Sequence, residues 1–218
     1  MLNATKIMYC PQAYRKEDSK YHYQFIQKHP FATMVIHEEA FLATHIPILT
    51  KGTAAAFHLE GHVAKSNPQA AWLKDGMEAL FIFQGPHAYI SSSWYGYEDI
   101  STWDYSAVHV RATIQIQTAV QLETSLQKLV YAFEKEQISP KFYHDIPSKI
   151  LQDHLPYIVG FTAKPISIEG IAKYHQDASP ATRNRICNAL RKDATTAAVA
   201  DAIENEASYC QHTNTTTK

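Results

Sequence analysis

The stretch "EGHVAKSNPQAAW", residues 60–72, gathers polar groups where a strand-like run gives way to a short helix. The run ends at Lys65, Ser66 and Asn67 offer side-chain hydrogen bonds, and Pro68 can take the first position of a helix. Helix N–H groups left free beside an ammonium would cradle a phosphate. The same pattern also describes an ordinary capped helix with an exposed lysine. A second stretch, "FQGPHAYISSSWY" (83–95), carries Phe83, Tyr89, Trp94 and Tyr95 together with His87 and three consecutive serines, Ser91 to Ser93. A core strand would alternate apolar and polar residues, and a surface loop would carry charge. This stretch does neither cleanly.

Other chemistries lack their anchors. The chain has 12 histidines, but no HExxH. His58 and His62 share a strand face four residues apart, too far along an extended chain to chelate one small ion. Satisfied imidazoles are the favoured reading, and no metal site is expected. No GxGxxG, P-loop or GxSxG occurs. Ser91 to Ser93 lie close to His87 in sequence, yet no oriented acid accompanies them, so hydrogen bonding is favoured over nucleophilic attack. The segment "ATRNRICNALRKDATTAAVADAIENE" outlines two helices with a superficial helix-turn-helix look. Its second half, "TTAAVADAIENE", has no basic residue to meet phosphates or guanine edges, so direct DNA binding is doubtful.

The elements that must position these residues follow from periodicity. Val108, Val110, Ala112, Ile114 and Ile116 would face one way along a strand, with His109, Arg111, Thr113, Gln115 and Gln117 on the other face. Residues 56–64 behave similarly: Phe57, Leu59, Gly61 and Val63 oppose His58, Glu60 and His62. Further strand-like runs are "FATMVI", "AFLATHIPILT" and "EALFIFQG", with a later unit "IVGFTAKPISIEGIAKYH". Helices are expected within 16–30, over about 119–135, in "PSKILQDHL", and over 180–191 and 194–205. Strands dominate without regular β-α alternation, which predicts a mainly β, α+β protein built on an antiparallel barrel with helical additions.

Composition adds bounds. The 218 residues carry a formal charge of −1, giving no global basic excess for nucleic acid. Cys10, Cys187 and Cys210 are widely spaced, suggesting neither a disulfide framework nor a thiolate zinc site. No long apolar run or secretory signal pattern is present, so a cytoplasmic protein without membrane insertion is expected. The expected organisation is a barrel domain over 1–178, a helical extension over 179–206 and a disordered tail over 207–218.

The combined motifs resemble the PaiB family of bacterial proteins. They are "HPFATMV" (29–35), "ATHIPIL" (43–49), "GHVAKSNPQ" (61–69), "FQGPHAYISSSWY" (83–95), "TWDYSAVHV" (102–110) and "IVGF" (158–161). The resemblance implies an FMN-binding split barrel, homodimeric, with a role in transcriptional regulation. Aromatics would flank the flat ring, while hydroxyls and amides would contact ribityl and phosphate oxygens. The implied cofactor-binding residues are Thr44, His45, His62, Lys65, Asn67, Gln69, His87, Ser91, Trp94, Tyr95, Trp103, Lys173 and Gln176. Alternatives are a flavin-dependent oxidoreductase of the pyridoxamine-phosphate-oxidase-like class, or a haem-binding or cofactor-free interaction protein. In one segment the chain departs from the family pattern: Ile171 stands where a lysine is expected, His175 for a serine, Asp177 for an asparagine and Ala178 for an arginine. Two cations are lost and a carboxylate gained, which predicts weakened FMN binding.

Overall fold

In the computed structural model, residues 6–215 are described, with side chains through Ala207. The elements in chain order are β1 (Arg15–Lys16), α1 (Ser19–Lys28), β2 (Phe31–His37), β3 (Phe41–Pro47), β4 (Leu49–Thr53), β5 (Ala56–Ala64), β6 (Glu78–Ile90), β7 (Thr102–Ile116), α2 (Ala119–Glu134), α3 (Ser148–His154), β8 (Ile158–Lys173), α4 (Pro180–Leu190) and α5 (Ala197–Thr215). The strands form an eight-stranded sheet in the order β3-β2-β6-β7-β8-β5-β4, with β1 added on β8. The pairings β1–β8, β2–β3, β2–β6, β4–β5 and β5–β8 are all antiparallel. The protein is α+β with an antiparallel sheet at its centre, as its periodicity predicts. The tail expected over 207–218 lies almost wholly outside the residues with described side chains.

The chain divides into two compact units. The first holds Asp18–Phe83 and His109–Ile168. Its core is the inward face of the period-two strands: Val110, Ala112 and Ile114 of β7, Phe57, Leu59 and Val63 of β5, and Met34 and Ile36 of β2 are all buried. Gly61 allows a close approach here. A Cβ at that position would lie 2.7 Å from Ile48 Cδ1 and 2.9 Å from Phe161 Cζ. The helix α1 starts at Asp18, whose side chain accepts from the Lys20 backbone N–H, and it buries Phe25 and Ile26. A capping box joins Thr118 and Gln121 at the start of α2.

The second unit holds Met8–Glu17, Gln84–Val108 and the chain from Glu169 onward. In it β1 pairs with the end of β8, Arg15 opposite Ile171 and Lys16 opposite Gly170. Lys16 and Glu206 form a buried ion pair. Ser179 caps α4, Pro180 fills its first turn, and Ile186, Cys187 and Leu190 are buried with Val199, Ala200 and Ile203 of α5. The Arg191 guanidinium binds Asp201 at 3.0 Å and Glu204 at 2.7 Å, so α4 and α5 spend this cation on each other.

Candidate functional site

In the first unit the end of β5 builds a compact polar knot. The Lys65 backbone N–H donates to Tyr157 O at 2.7 Å, and the Asn67 N–H to Ala64 O at 2.9 Å, which turns the chain sharply after the strand. Asn67 Oδ1 then accepts from the Gln69 N–H at 2.9 Å, capping a turn of 3₁₀ helix over Pro68–Ala71. Asn67 Nδ2 donates to Thr44 Oγ1 at 2.8 Å. Because Thr44 accepts in this bond, its hydroxyl proton is left to donate elsewhere. The Lys65 side chain is exposed.

The other predicted residues of this unit do different work. Gln69 is buried and clamps the β2–β3 hairpin, Nε2 donating to Met34 O at 3.1 Å and Leu42 O at 2.8 Å. Its Oε1 has no partner among the described residues. His45 sits opposite Thr33 with its ring stacked 6.1 Å from that of Phe31. His62 is part-buried opposite Gly160, and burial pushes its imidazole below the ordinary value.

In the second unit the aromatic stretch resolves into two places. His87 and Tyr89 flank Trp103, with ring centroids at 6.3 Å and 6.2 Å, and Tyr89 and Trp103 are half exposed. Ser91 caps a 3₁₀ turn over Ser92–Trp94, its side chain accepting from the Ser93 N–H, and Trp94 is part-exposed. Tyr95, by contrast, is buried. Gln176 closes on its own backbone: Oε1 accepts from the Tyr174 N–H and Nε2 donates to Ala172 O, each at 2.7 Å. The Lys173 ammonium donates to Thr102 Oγ1 and, at 3.0 Å, to Trp103 O. Tyr174 donates to Pro86 O at 2.7 Å and lies 2.7 Å from Ser106 Oγ; burial drives its phenol well above the ordinary range.

A constellation that the motifs do not announce lies beside these residues. Asp104 is fully buried, and its Oδ2 is 2.7 Å from His175 Nδ1. His175 Nε2 is 3.3 Å from the Tyr95 hydroxyl. With a carboxylate at Nδ1, the imidazole proton sits there and Nε2 accepts from the phenol. Desolvation raises the Asp104 carboxyl above its ordinary value, against the opposing effects of His175 and Lys173. His175 holds φ at 50°, the one positive-φ residue other than glycine among the described residues. Tyr95 and His175 line a cleft of ≈ 280 Å³ whose walls also include Tyr14, Tyr97, Asp99, Thr102, Lys173, Asp177 and Ala178. Of the four departures from the family pattern, His175, Asp177 and Ala178 line this cleft, whereas Ile171 is 1% exposed and belongs to the core.

The fold defines a class, the antiparallel split barrels. The FAD and heme binding protein of Mycobacterium smegmatis superposes with a TM-score of 0.53 at 12% identity, over 73% of each chain. A conserved hypothetical protein of Mycobacterium tuberculosis gives a TM-score of 0.52 at 8% identity, over 76% of this chain and 90% of that one. Sequence narrows the class. The family model described as "Putative FMN-binding domain" matches residues 8–167. "Protease synthase and sporulation protein PAI 2" of Bacillus subtilis is 33% identical over 171 residues, 78% of this chain and 83% of that protein. The chain belongs to the PaiB family.

Proposed function

We propose that the protein binds FMN through its phosphate at Thr44, Lys65 and Asn67, and works as a homodimeric, cytoplasmic regulator rather than as a dedicated catalyst. The observation that carries this reading is the Asn67–Thr44 hydrogen bond. It fixes Thr44 Oγ1 as an acceptor from within the protein, so the hydroxyl proton is free for an anion. Lys65, two residues before Asn67, supplies an exposed ammonium. A hydroxyl donor and an ammonium at the end of a strand suit a phosphate, and in that respect the residues present fit the group. When bound, FMN would supply hydride or single-electron chemistry; the protein's own part is binding and orientation.

The regulatory half of the reading rests on kinship with the sporulation protein of Bacillus. Direct contact with DNA is left out of the reading: the second C-terminal helix, α5, carries Asp201, Glu204 and Glu206 and no lysine or arginine, and Arg191 is held by Asp201 and Glu204. Among the described residues no helix is long and apolar enough to cross a membrane. The test is an absorption spectrum followed by FMN titration of the natural chain and of Lys65→Ala. A flavin spectrum is expected, with at least about tenfold weaker binding in the variant, since a charge-assisted contact is worth about 1.5–3 kcal/mol. A haem Soret band in the purified protein, or unchanged FMN affinity in the variant, would overturn the assignment.

A further inference from the structure

The turn that follows β5 fastens onto β3 at two points. β3 ends the sheet order, with β2 as its strand neighbour. Asn67 Nδ2 donates to Thr44 Oγ1 and Gln69 Nε2 to Leu42 O, both at 2.8 Å. The two bonds lie two residues apart on each segment and run in opposite directions. The other Nε2 proton of Gln69 goes to Met34 O at 3.1 Å, and Met34 stands directly opposite Thr44 on β2. One side-chain amide thus holds a carbonyl on each strand of the hairpin that carries Thr44. The Gln69 backbone contributes separately, its N–H donating to Asn67 Oδ1 at 2.9 Å. A backbone N–H can only donate, so the Asn67 oxygen must face Gln69 and its nitrogen must face Thr44.

Gln69 is 1% exposed, which leaves its side chain no surface for a ligand. Its Oε1 is buried without a partner among the described residues, a cost that a methionine of similar length would not carry. What the amide supplies and a methionine cannot is the pair of donors to Met34 O and Leu42 O. We infer that Gln69 is a positioning residue of the phosphate site, acting through β3 to hold Thr44 in place against Asn67 and Lys65. This role rests on the FMN reading. Thr44 comes from β3, whereas Lys65 and Asn67 follow β5, so the site straddles two segments that must be kept in register. A binding constellation of this kind works when its members are held to within about 0.5 Å. The family resemblance places Gln69 among the cofactor contacts; its burial makes the role an indirect one.

The test compares the full natural chain with Gln69→Met, which removes both side-chain donors and keeps the backbone N–H to Asn67. FMN should bind at least about tenfold more weakly to Gln69→Met. Adding Gln69→Met to Thr44→Val should bring no further loss, and additive losses would show that Gln69 does not act through Thr44. A second measurement needs no flavin. By NMR, the Asn67 side-chain amide protons of the FMN-free chain should exchange with solvent about tenfold faster in Gln69→Met than in the natural protein. Equal exchange in the two overturns the positioning role whether or not FMN binds. A natural chain that binds no FMN but shows the exchange difference overturns the FMN reading and leaves the clamp on Thr44 standing. If Gln69→Met does not fold, the natural chain decides. Intermolecular NOEs from the Gln69 side chain to bound FMN would make it a contact residue and overturn the inference, whereas contacts from Thr44, Lys65 and Asn67 without Gln69 support it.

Discussion

Thr44 and His62 show how an internal environment sets what a side chain can offer. The Asn67 amide determines which way the Thr44 hydroxyl donates, which is what makes this threonine a phosphate candidate. His62 is set by burial, which holds its imidazole below the ordinary value; His29 is lowered for the same reason, with Lys28 adding to it. Below the unfolded value, about 6.5, the unfolded chain takes up protons that these folded imidazoles refuse. Their contribution to stability is thus complete above that pH and is lost as pH falls beneath it. Thermal midpoints should decline between about pH 7 and 5, and less steeply in His62→Gln than in the natural chain. Parallel pH profiles for the two proteins would show that His62 titrates alike in both states. Little of the polar geometry was open to sequence reading. Asn67 could be seen as a cap, but Asp104 and His175 lie 71 residues apart, and neither belongs to a recognisable catalytic motif.

Among the elements, strands were more legible than the burial of helices. The alternation over 108–114 translates directly into buried and part-exposed faces of β7, because a period of two fixes side-chain direction. The start of α2 was equally readable, yet of its expected apolar stripe only Leu122 is buried, and Phe133 is 44% exposed. Periodicity marks a face; it does not say what covers it. The end of β8 gives the opposite lesson. Loss of a lysine at Ile171 looked like a lost phosphate contact, but the side chain is 1% exposed and its strand position directs it into the core opposite Arg15. Ile171→Lys should therefore destabilise the fold, by about 3 kcal/mol or more, through lost packing and a buried ammonium. Denaturant unfolding measures this. A stability equal to that of the natural chain would mean that the ammonium reaches solvent, reopening position 171 as a ligand residue.

At the scale of the whole molecule the question is what covers the apolar surface. Large hydrophobic side chains remain open in both units: Phe31 at 65%, Phe41 at 78% and Tyr157 at 69% in the first, Trp103 at 55% and Tyr89 at 50% in the second. Isolated exposed apolar residues are ordinary, but Tyr89 and Trp103 are in ring contact, 6.2 Å apart, and His87 extends the same ledge. An exposed aromatic ledge is a surface that a two-fold homodimer would bury, since each copy presents the same patch to the other. Aromatic anchors near the centre of an interface carry much of its binding energy, and truncating one typically costs about 2 kcal/mol or more. Light scattering at micromolar concentration should then give twice the chain mass for the natural protein, and Trp103→Ser should shift the population toward monomer with little change in thermal stability at low concentration. A stable monomer in the natural protein would remove the dimer altogether. A dimer indifferent to Trp103→Ser would instead move the interface to the exposed aromatics of the first unit, where Phe31→Ser and Phe41→Ser are the corresponding variants.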